Sequence, residues 1–134
     1  EFQHIIVSLR GKLMKRRLIF TTTTEMLRVP ADTVVYITAD GNYSAITLAD
    51  GGSFVLTQQL GHIERRIAEI MDSDDNRFIR IGKSLIVNRD FITYINPQRQ
   101  KMVLSDCLSF RHEASASKEA LKALKELLEK EATL

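Results

Sequence analysis

The sequence predicts a mainly β domain with two helices. Short runs rich in β-branched and aromatic residues recur along most of the chain, separated by turns of Gly, Asn, Asp and Pro. Two other segments carry apolar residues at helical spacing, one near the middle of the chain and one at its carboxyl end. The chain has 134 residues, 44% of them hydrophobic, which is enough apolar material for one core. We therefore expect one domain.

The first sixteen residues are the least informative part of the sequence. An apolar patch, Ile5 to Val7, is followed by a basic stretch that continues to Arg17. This pattern fits a strand and a short helix equally well. We interpret residues 1–16 as an N-terminal extension or the stub of a linker, and residues 17–134 as the domain.

Three extended segments are predicted next. Residues 18–24 are rich in β-branched side chains, which favours a strand. Residues 26–29 continue in extended form up to Pro30, whose fixed φ suits the start of a short helical turn. The uninterrupted apolar run at 34–37 predicts a buried strand, closed by the turn at 39–41.

A hairpin and a helix follow. Residues 44–48 and 53–56 are predicted as paired strands, because Asp50-Gly51-Gly52 between them is a strong turn signal. Thr57 is the predicted N-cap of an amphipathic helix over 58–71. The apolar positions of this helix recur at helical spacing: Leu60, Ile63, Ile67, Ile70 and Met71.

The second half of the sequence is again rich in short apolar runs. Two of them, 78–81 and 85–87, stand on either side of Gly82. Three more, at 92–95, 102–104 and 108–110, are separated by turn residues and predict a three-stranded meander.

The last segment predicts a helix over 117–131, with Ser117 as its N-cap. Lysines and glutamates surround a single apolar stripe, as is typical of an amphipathic helix. The stripe consists of Leu121, Leu124, Leu127 and Leu128.

Composition excludes several classes of protein. The single cysteine, Cys107, cannot form an internal disulfide, which excludes a secreted disulfide scaffold. We find neither an apolar run of membrane-spanning length nor a signal peptide, so we expect a cytoplasmic protein with no membrane partner. The cysteine and the histidines (His4, His62, His112) form no nucleophile or metal motif. We therefore predict no enzyme activity, no catalytic residue, no metal and no cofactor.

The distribution of charge is more informative than its total. The 19 Lys and Arg residues exceed the 17 Asp and Glu residues by only two, which does not by itself indicate a polyanionic partner. The basic residues, however, concentrate in residues 10–28 and 77–112, whereas three aspartates cluster at 72–75. A localised basic surface is therefore expected.

Several of these segments share an order with a known family. Val35-Tyr36-Ile37 precedes Gly41-Asn42-Tyr43, Leu60 lies in the helix, and residues 78–88 read FIRIGKSLIVN. In this combination the sequence resembles the LytTR family of DNA-binding domains, over residues 18–112. The resemblance implies an output domain of bacterial response regulators in two-component systems, built from small antiparallel β-sheets with one intervening helix, followed here by the C-terminal helix. It also implies loops that enter successive major grooves of double-stranded DNA.

The resemblance further implies particular contact residues. Asn can pair with adenine, Lys and Arg can donate to guanine or phosphate, and a Ser hydroxyl can reach a phosphate oxygen. The candidates for base or groove contacts are Asn42, Tyr43, Lys83, Arg111 and His112. The candidates for phosphate contacts are Arg80, Ser84 and Arg89.

Simpler interpretations stand beside some of these assignments. Asn42 follows a glycine and could serve only the geometry of its turn, and Tyr43 could be a half-buried strand residue. Asn88 is better explained as a structural cap of the next turn. In relatives a side chain such as His often stands where this chain has Gly82, and a Ser-Arg pair stands where it has Arg111-His112. The second difference leaves open whether Arg111 or His112 contacts bases.

The expected partner is DNA carrying spaced direct repeats, on which two copies of the domain could bind as a homodimer. A sensory or receiver domain, usual upstream in this family, is expected outside these 134 residues. The alternative is a protein-interaction or dimerisation module that uses the C-terminal amphipathic helix, through Leu124 and Leu128.

Overall fold

The structure, a computed structural model, describes residues 16–132. It is mainly β with two helices, as the sequence predicts. The predicted extension lies outside the described residues except for Arg16. The two helices are α1 (Leu60–Ile70) and α2 (Lys118–Ala132). The strands are β1 (Arg17–Thr21), β2 (Met26–Pro30), β3 (Val34–Asp40), β4 (Tyr43–Leu48), β5 (Ser53–Leu56), β6 (Phe78–Ile81), β7 (Leu85–Asn88), β8 (Ile92–Asn96), β9 (Lys101–Ser105) and β10 (Arg111–Ser115).

The strands form three antiparallel sheets. β1 and β2 make a hairpin, five strands form a central sheet in the order β5-β4-β3-β7-β6, and β10-β9-β8 form a third sheet. Strand β3 lies in the middle of the central sheet and carries a bulge between Val34 and Tyr36. Val34 faces one core, whereas Val35 and Tyr36 both face the other, because the bulge interrupts the regular alternation of side chains.

Two apolar cores lie on opposite faces of the central sheet. The first packs α1 and the β1–β2 hairpin against one face, with Phe20, Ile37 and Ile63 fully enclosed. The second packs the three-stranded sheet and α2 against the other face, and it buries Leu121 and Leu124. Neither described helix has the length and apolar character that a bilayer crossing requires.

The first strand is shorter than predicted. The expected strand over 18–24 ends at Thr21, and the prediction for Thr22 to Thr24 was wrong. The hydroxyl of Thr22 accepts hydrogen bonds from the backbone N–H groups of Thr24 (3.3 Å) and Glu25 (3.1 Å). These bonds close a turn, so local side-chain bonding overrides the strand preference of threonine.

The capping predictions have different outcomes for the two helices. Ser117 caps α2, because its hydroxyl accepts from the N–H of Ala120 at 3.1 Å. Thr57 does not cap α1, which begins at Leu60 with Gln59 in extended conformation at its N-cap. The hydroxyl of Ser44 donates to the carbonyl of Gln58 at 2.7 Å. This bond ties the backbone of Gln58 to β4, so the chain bends at residues 57 and 58 and the helix starts only after Gln59.

The last strand of the meander is also displaced. The prediction of a strand over 108–110 was wrong, because these residues form a turn and the strand runs from Arg111 to Ser115. The carboxylate of Asp106 accepts from the N–H groups of Leu108 (2.9 Å), Ser109 (2.8 Å) and Phe110 (3.1 Å). With its N–H groups turned toward one side chain, this segment cannot pair with β9.

Candidate nucleic-acid interface

Two exposed turns lie at the same edge of the central sheet. Strands β3 and β7 are antiparallel neighbours, with Thr38 opposite Leu85. The N–H of Ala39 donates to the carbonyl of Ser84 at 2.9 Å, which joins the end of β3 to the start of β7. The β3–β4 turn and the β6–β7 turn are therefore side by side. We call this edge, formed by residues 41–43 and 82–84, the loop edge.

Asn42 and Tyr43 present polar groups at the loop edge. Gly41 adopts the left-handed conformation (φ 62°), whereas Asn42 is not among the described residues with positive φ. Tolerance of left-handed backbone therefore does not explain the asparagine. Its side-chain oxygen accepts from Nε2 of Gln59 at 3.3 Å, and the residue is exposed. Tyr43 begins β4 with 49% of its surface exposed, so it is a half-buried strand residue whose exposed part lies at the loop edge.

Lys83 and Ser84 are exposed in the β6–β7 turn, next to Gly82 in left-handed conformation (φ 62°). This conformation favours glycine over residues that carry a Cβ. Arg80 braces the turn from β6: its Nε donates to the carbonyl of Gly82 at 3.1 Å and one terminal nitrogen donates to the carbonyl of Lys83 at 2.8 Å. The predicted phosphate contact is thus already engaged within the protein.

Arg111 and His112 lie on the third sheet and point in opposite directions. They begin β10 instead of following the last strand, and successive strand residues alternate between faces. The Arg111 side chain is 60% exposed and lies 3.1 Å from the carboxylate of Glu113. The His112 ring packs against Tyr36 and Phe110, with ring centroids 5.5 Å apart in each pair.

The third sheet is offset from the loop edge along the strand direction. Tyr36, which His112 contacts, lies four residues before Asp40 on β3. At about 3.3 Å per residue this separation is roughly 13 Å. The structure therefore brings Asn42, Tyr43, Lys83 and Ser84 together at the central sheet, whereas Arg111 lies on the third sheet.

Arg89 lies at the other end of β7 from the loop edge. One guanidinium nitrogen donates to both carboxylate oxygens of Glu131, at 2.7 Å each, and the Arg89 side chain is only 11% exposed. This ion pair ties the end of α2 to the β7–β8 connection. The preceding Asn88 is buried, donating to the carbonyl of Val34 and accepting from the N–H of Asp90, at 3.0 Å each. These bonds confirm its structural role.

Comparison with known proteins decides the family. The sequence profile of the LytTr DNA-binding domain matches residues 24–129, which is most of the chain. The chain belongs to the LytTR family. A solved LytTr DNA-binding domain, from a putative methyl-accepting/DNA response regulator of Bacillus cereus, has a similar fold, with a TM-score of 0.56. It is 22% identical to this LytTR domain, and the alignment covers 86% of this chain and 98% of that one. A search of curated proteins gave no match.

Two glutamines of this LytTR domain lie at or beside the loop edge and were not predicted from the sequence. Gln59 bonds Asn42, and Nε2 of Gln58 donates to the carbonyl of Thr21 at 3.1 Å, which links the first hairpin to the same region. In the β4–β5 hairpin Ser44 pairs with Leu56, so the residues after Leu56 lie beside Tyr43. The polar run Thr57-Gln58-Gln59 directly after β5 is the sequence feature that could have indicated these contacts.

Acidic groups shape the region around Arg111. Hydrogen bonds from Lys101 (2.9 Å) and Arg111 lower the pKa of Glu113, which therefore stays ionised and offsets part of the local positive charge. The hydroxyl of Ser109 and the three turn N–H groups hold the pKa of Asp106 well below its usual range. The turn that leads into Arg111 is thus organised around an anion.

The LytTR family is a DNA-binding family, not a catalytic one. Within residues 16–132, no cluster of three or more His, Cys, Asp and Glu side chains is arranged to hold a metal ion. Cys107 is exposed in the β9–β10 turn, with φ 61°. The exposed loops of this LytTR domain are therefore its candidate functional surface.

Proposed function

We propose that this LytTR domain binds double-stranded DNA sequence-specifically, as the output domain of a bacterial transcriptional regulator in the cytoplasm. The loop edge would enter a major groove. The observation that carries this proposal is the pairing of two exposed turns at one sheet edge, fixed to each other by the bond between Ala39 and Ser84. Rigidly mounted loops are a common way to present binding residues.

The side chains of the loop edge suit direct contact with bases. Asn42 can donate and accept in one bidentate pair with adenine, and Lys83 can donate to the acceptors of guanine. The Ser84 hydroxyl can bond a phosphate oxygen and so fix the register on the duplex. Tyr43 adds an exposed ring and hydroxyl next to Asn42. Polar groups for both base and phosphate contacts therefore meet at one edge.

Arg111 is the better candidate for a second contact. Its side chain is exposed, whereas the ring of His112 is packed between Tyr36 and Phe110. The offset of roughly 13 Å between this part of the third sheet and the loop edge suits contacts at separate places along the duplex. We further propose spaced direct repeats as the target, with two copies of the domain on one site and a receiver domain upstream.

The alternative function, a protein-interaction module built on α2, has less support. Leu121 and Leu124 are buried in the domain's own second core, and Leu128 is partly buried against it. Only Leu127 of the leucine stripe is substantially exposed, at 42%. A stripe that already packs within the domain is not free to bind a partner.

The proposal is tested by selecting bound sequences from a random duplex pool and titrating the selected duplex over a range of salt concentrations. We expect enrichment of a defined, repeated motif. If about six phosphates are neutralised, log affinity should fall with log salt with a slope of about −5. Absence of any enriched motif, together with binding that does not depend on salt, would contradict the proposal and favour the interaction module.

A further inference from the structure

Arg80 joins the β6–β7 turn to helix α1. In addition to its bonds with the carbonyls of Gly82 and Lys83, its other terminal nitrogen donates to Oε1 of Glu64 at 2.8 Å. The Arg80 side chain is 26% exposed and that of Glu64 49% exposed. Because a guanidinium is planar and its donors are fixed relative to one another, a carboxylate on one side sets the direction of the donors on the other.

This ion pair adds to the contacts that position the turn, beside the backbone bond between Ala39 and Ser84. A cleft of about 250 Å³ beside the ion pair is lined by both Glu64 and Arg80. Beside this open space the carboxylate accepts a third hydrogen bond from the guanidinium, which already donates to the carbonyls of Gly82 and Lys83. A lysine that contacts a base must be held within about 0.5 Å of its productive position. Small displacements of the turn carbonyls would therefore matter to Lys83.

We propose that Glu64, on α1, positions the Lys83 turn for DNA binding through Arg80. Both Glu64 and Arg80 are then positioning residues, and Arg80 is not a phosphate anchor. This inference rests on the proposed function and adds a residue from a helix that the proposal otherwise leaves without a role. It also explains why an arginine next to the loop edge is turned toward the protein.

The two roles of Arg80 predict opposite effects of Glu64→Gln. If Arg80 positions the turn, loss of the carboxylate releases the brace and weakens binding to the selected duplex, with no change in the salt slope. If Arg80 anchors a phosphate, removal of the competing carboxylate frees it, so binding becomes tighter and the salt slope steeper. The sign of the change therefore separates positioning from anchoring.

The experiment compares Glu64→Gln with Glu69→Gln, a matched control on the same helix. Glu69 is also ion-paired, with Arg66 at 3.0 Å, and its substitution changes the charge equally. We expect Glu64→Gln to lower affinity for the selected duplex about three- to ten-fold and to leave affinity for an unrelated duplex unchanged. Glu69→Gln should match the parent, and Arg80→Lys, which keeps the charge but loses the planar fork, should behave like Glu64→Gln. Equal or tighter binding by Glu64→Gln would overturn the proposal.

A second measurement tests the brace without DNA. NMR order parameters of the Lys83 and Ser84 amides should fall in Glu64→Gln and stay at parent values in Glu69→Gln. Unchanged order parameters in both variants would overturn the positioning role. If the parent domain selects no duplex, the proposed function is contradicted. If Glu64→Gln still lowers the order parameters of the Lys83 and Ser84 amides in that case, the effect of Glu64 on the turn stands on its own.

Discussion

At the scale of single residues, Lys83 is the side chain on which the proposed readout depends most. Its turn is braced by Arg80 and joined to β3, while the lysine itself is exposed. Lys83→Ala should cost about 1–3 kcal/mol of binding free energy on the selected duplex. Lys122→Ala, which removes the same charge from an exposed position of α2, should cost little. Titration of both variants checks this, and equal losses would indicate a general charge effect in place of base contact.

Arg111 and His112 should separate binding from stability. Arg111→Ala should weaken DNA binding and leave unfolding nearly unchanged, because its ion pair with Glu113 is exposed. His112→Ala should lower the free energy of unfolding by about 1 kcal/mol, since it loses the ring contacts with Tyr36 and Phe110. Urea unfolding and DNA titration of each variant measure the two effects. The reverse pattern would show that His112 is the contact residue.

The sequence identified exposed turn residues but not the partners of long side chains. Asn42 and Lys83 stand next to glycines in turns, a local pattern that can be read directly. The predictions for Arg80 and Arg89 rested on the family resemblance and on charge. Their carboxylate partners, Glu64 and Glu131, are 16 and 42 residues away in the sequence. Only the fold determines that these arginines face the protein.

At the scale of elements, the strand and helix cores were predictable and their ends were not. Apolar periodicity located both helices and the hairpin over 44–56. The errors at the end of β1, the start of α1 and the start of β10 share one physical cause. In each case a polar side chain bonds nearby backbone and fixes the chain in a turn or in extended form: Thr22, Ser44 and Asp106. Propensity does not report such bonds.

The Asp106 turn should make the β9–β10 connection sensitive to acid. Because the folded-state pKa of Asp106 is depressed, its contribution to stability is complete above the unfolded value of about 3.9 and is lost as pH falls toward the folded pKa. Asp106→Asn should be less stable than the parent at pH 7, with the difference shrinking below about pH 4. Thermal unfolding from pH 7 to pH 3 measures this.

Asp74→Asn, in the exposed loop after α1, is the control for the loss of one carboxylate. It should unfold like the parent at neutral pH. If Asp106→Asn and Asp74→Asn have the same pH profile, the Asp106 turn does not stabilise the fold.

At the scale of the whole molecule, α2 is part of the domain because it closes the second core. Leu121 is fully buried, so Leu121→Ala should lower the free energy of unfolding by about 2–5 kcal/mol. Leu127→Ala, on the exposed part of the same stripe, should cost much less. Urea unfolding with sedimentation analysis of both variants tests this. A change of oligomeric state in Leu127→Ala without loss of stability would favour an interaction surface on α2.

The central claim is that the loop edge, and not a helix, faces DNA. The most direct test is a map of backbone amide chemical shifts as the labelled domain is titrated with its selected duplex. We expect the largest changes in residues 41–43 and 82–84, a second group near Arg111, and little change in α2 or in the turn at 49–52, which lies at the other end of the sheet. Largest changes along α2, with the loop edge unaffected, would contradict the account.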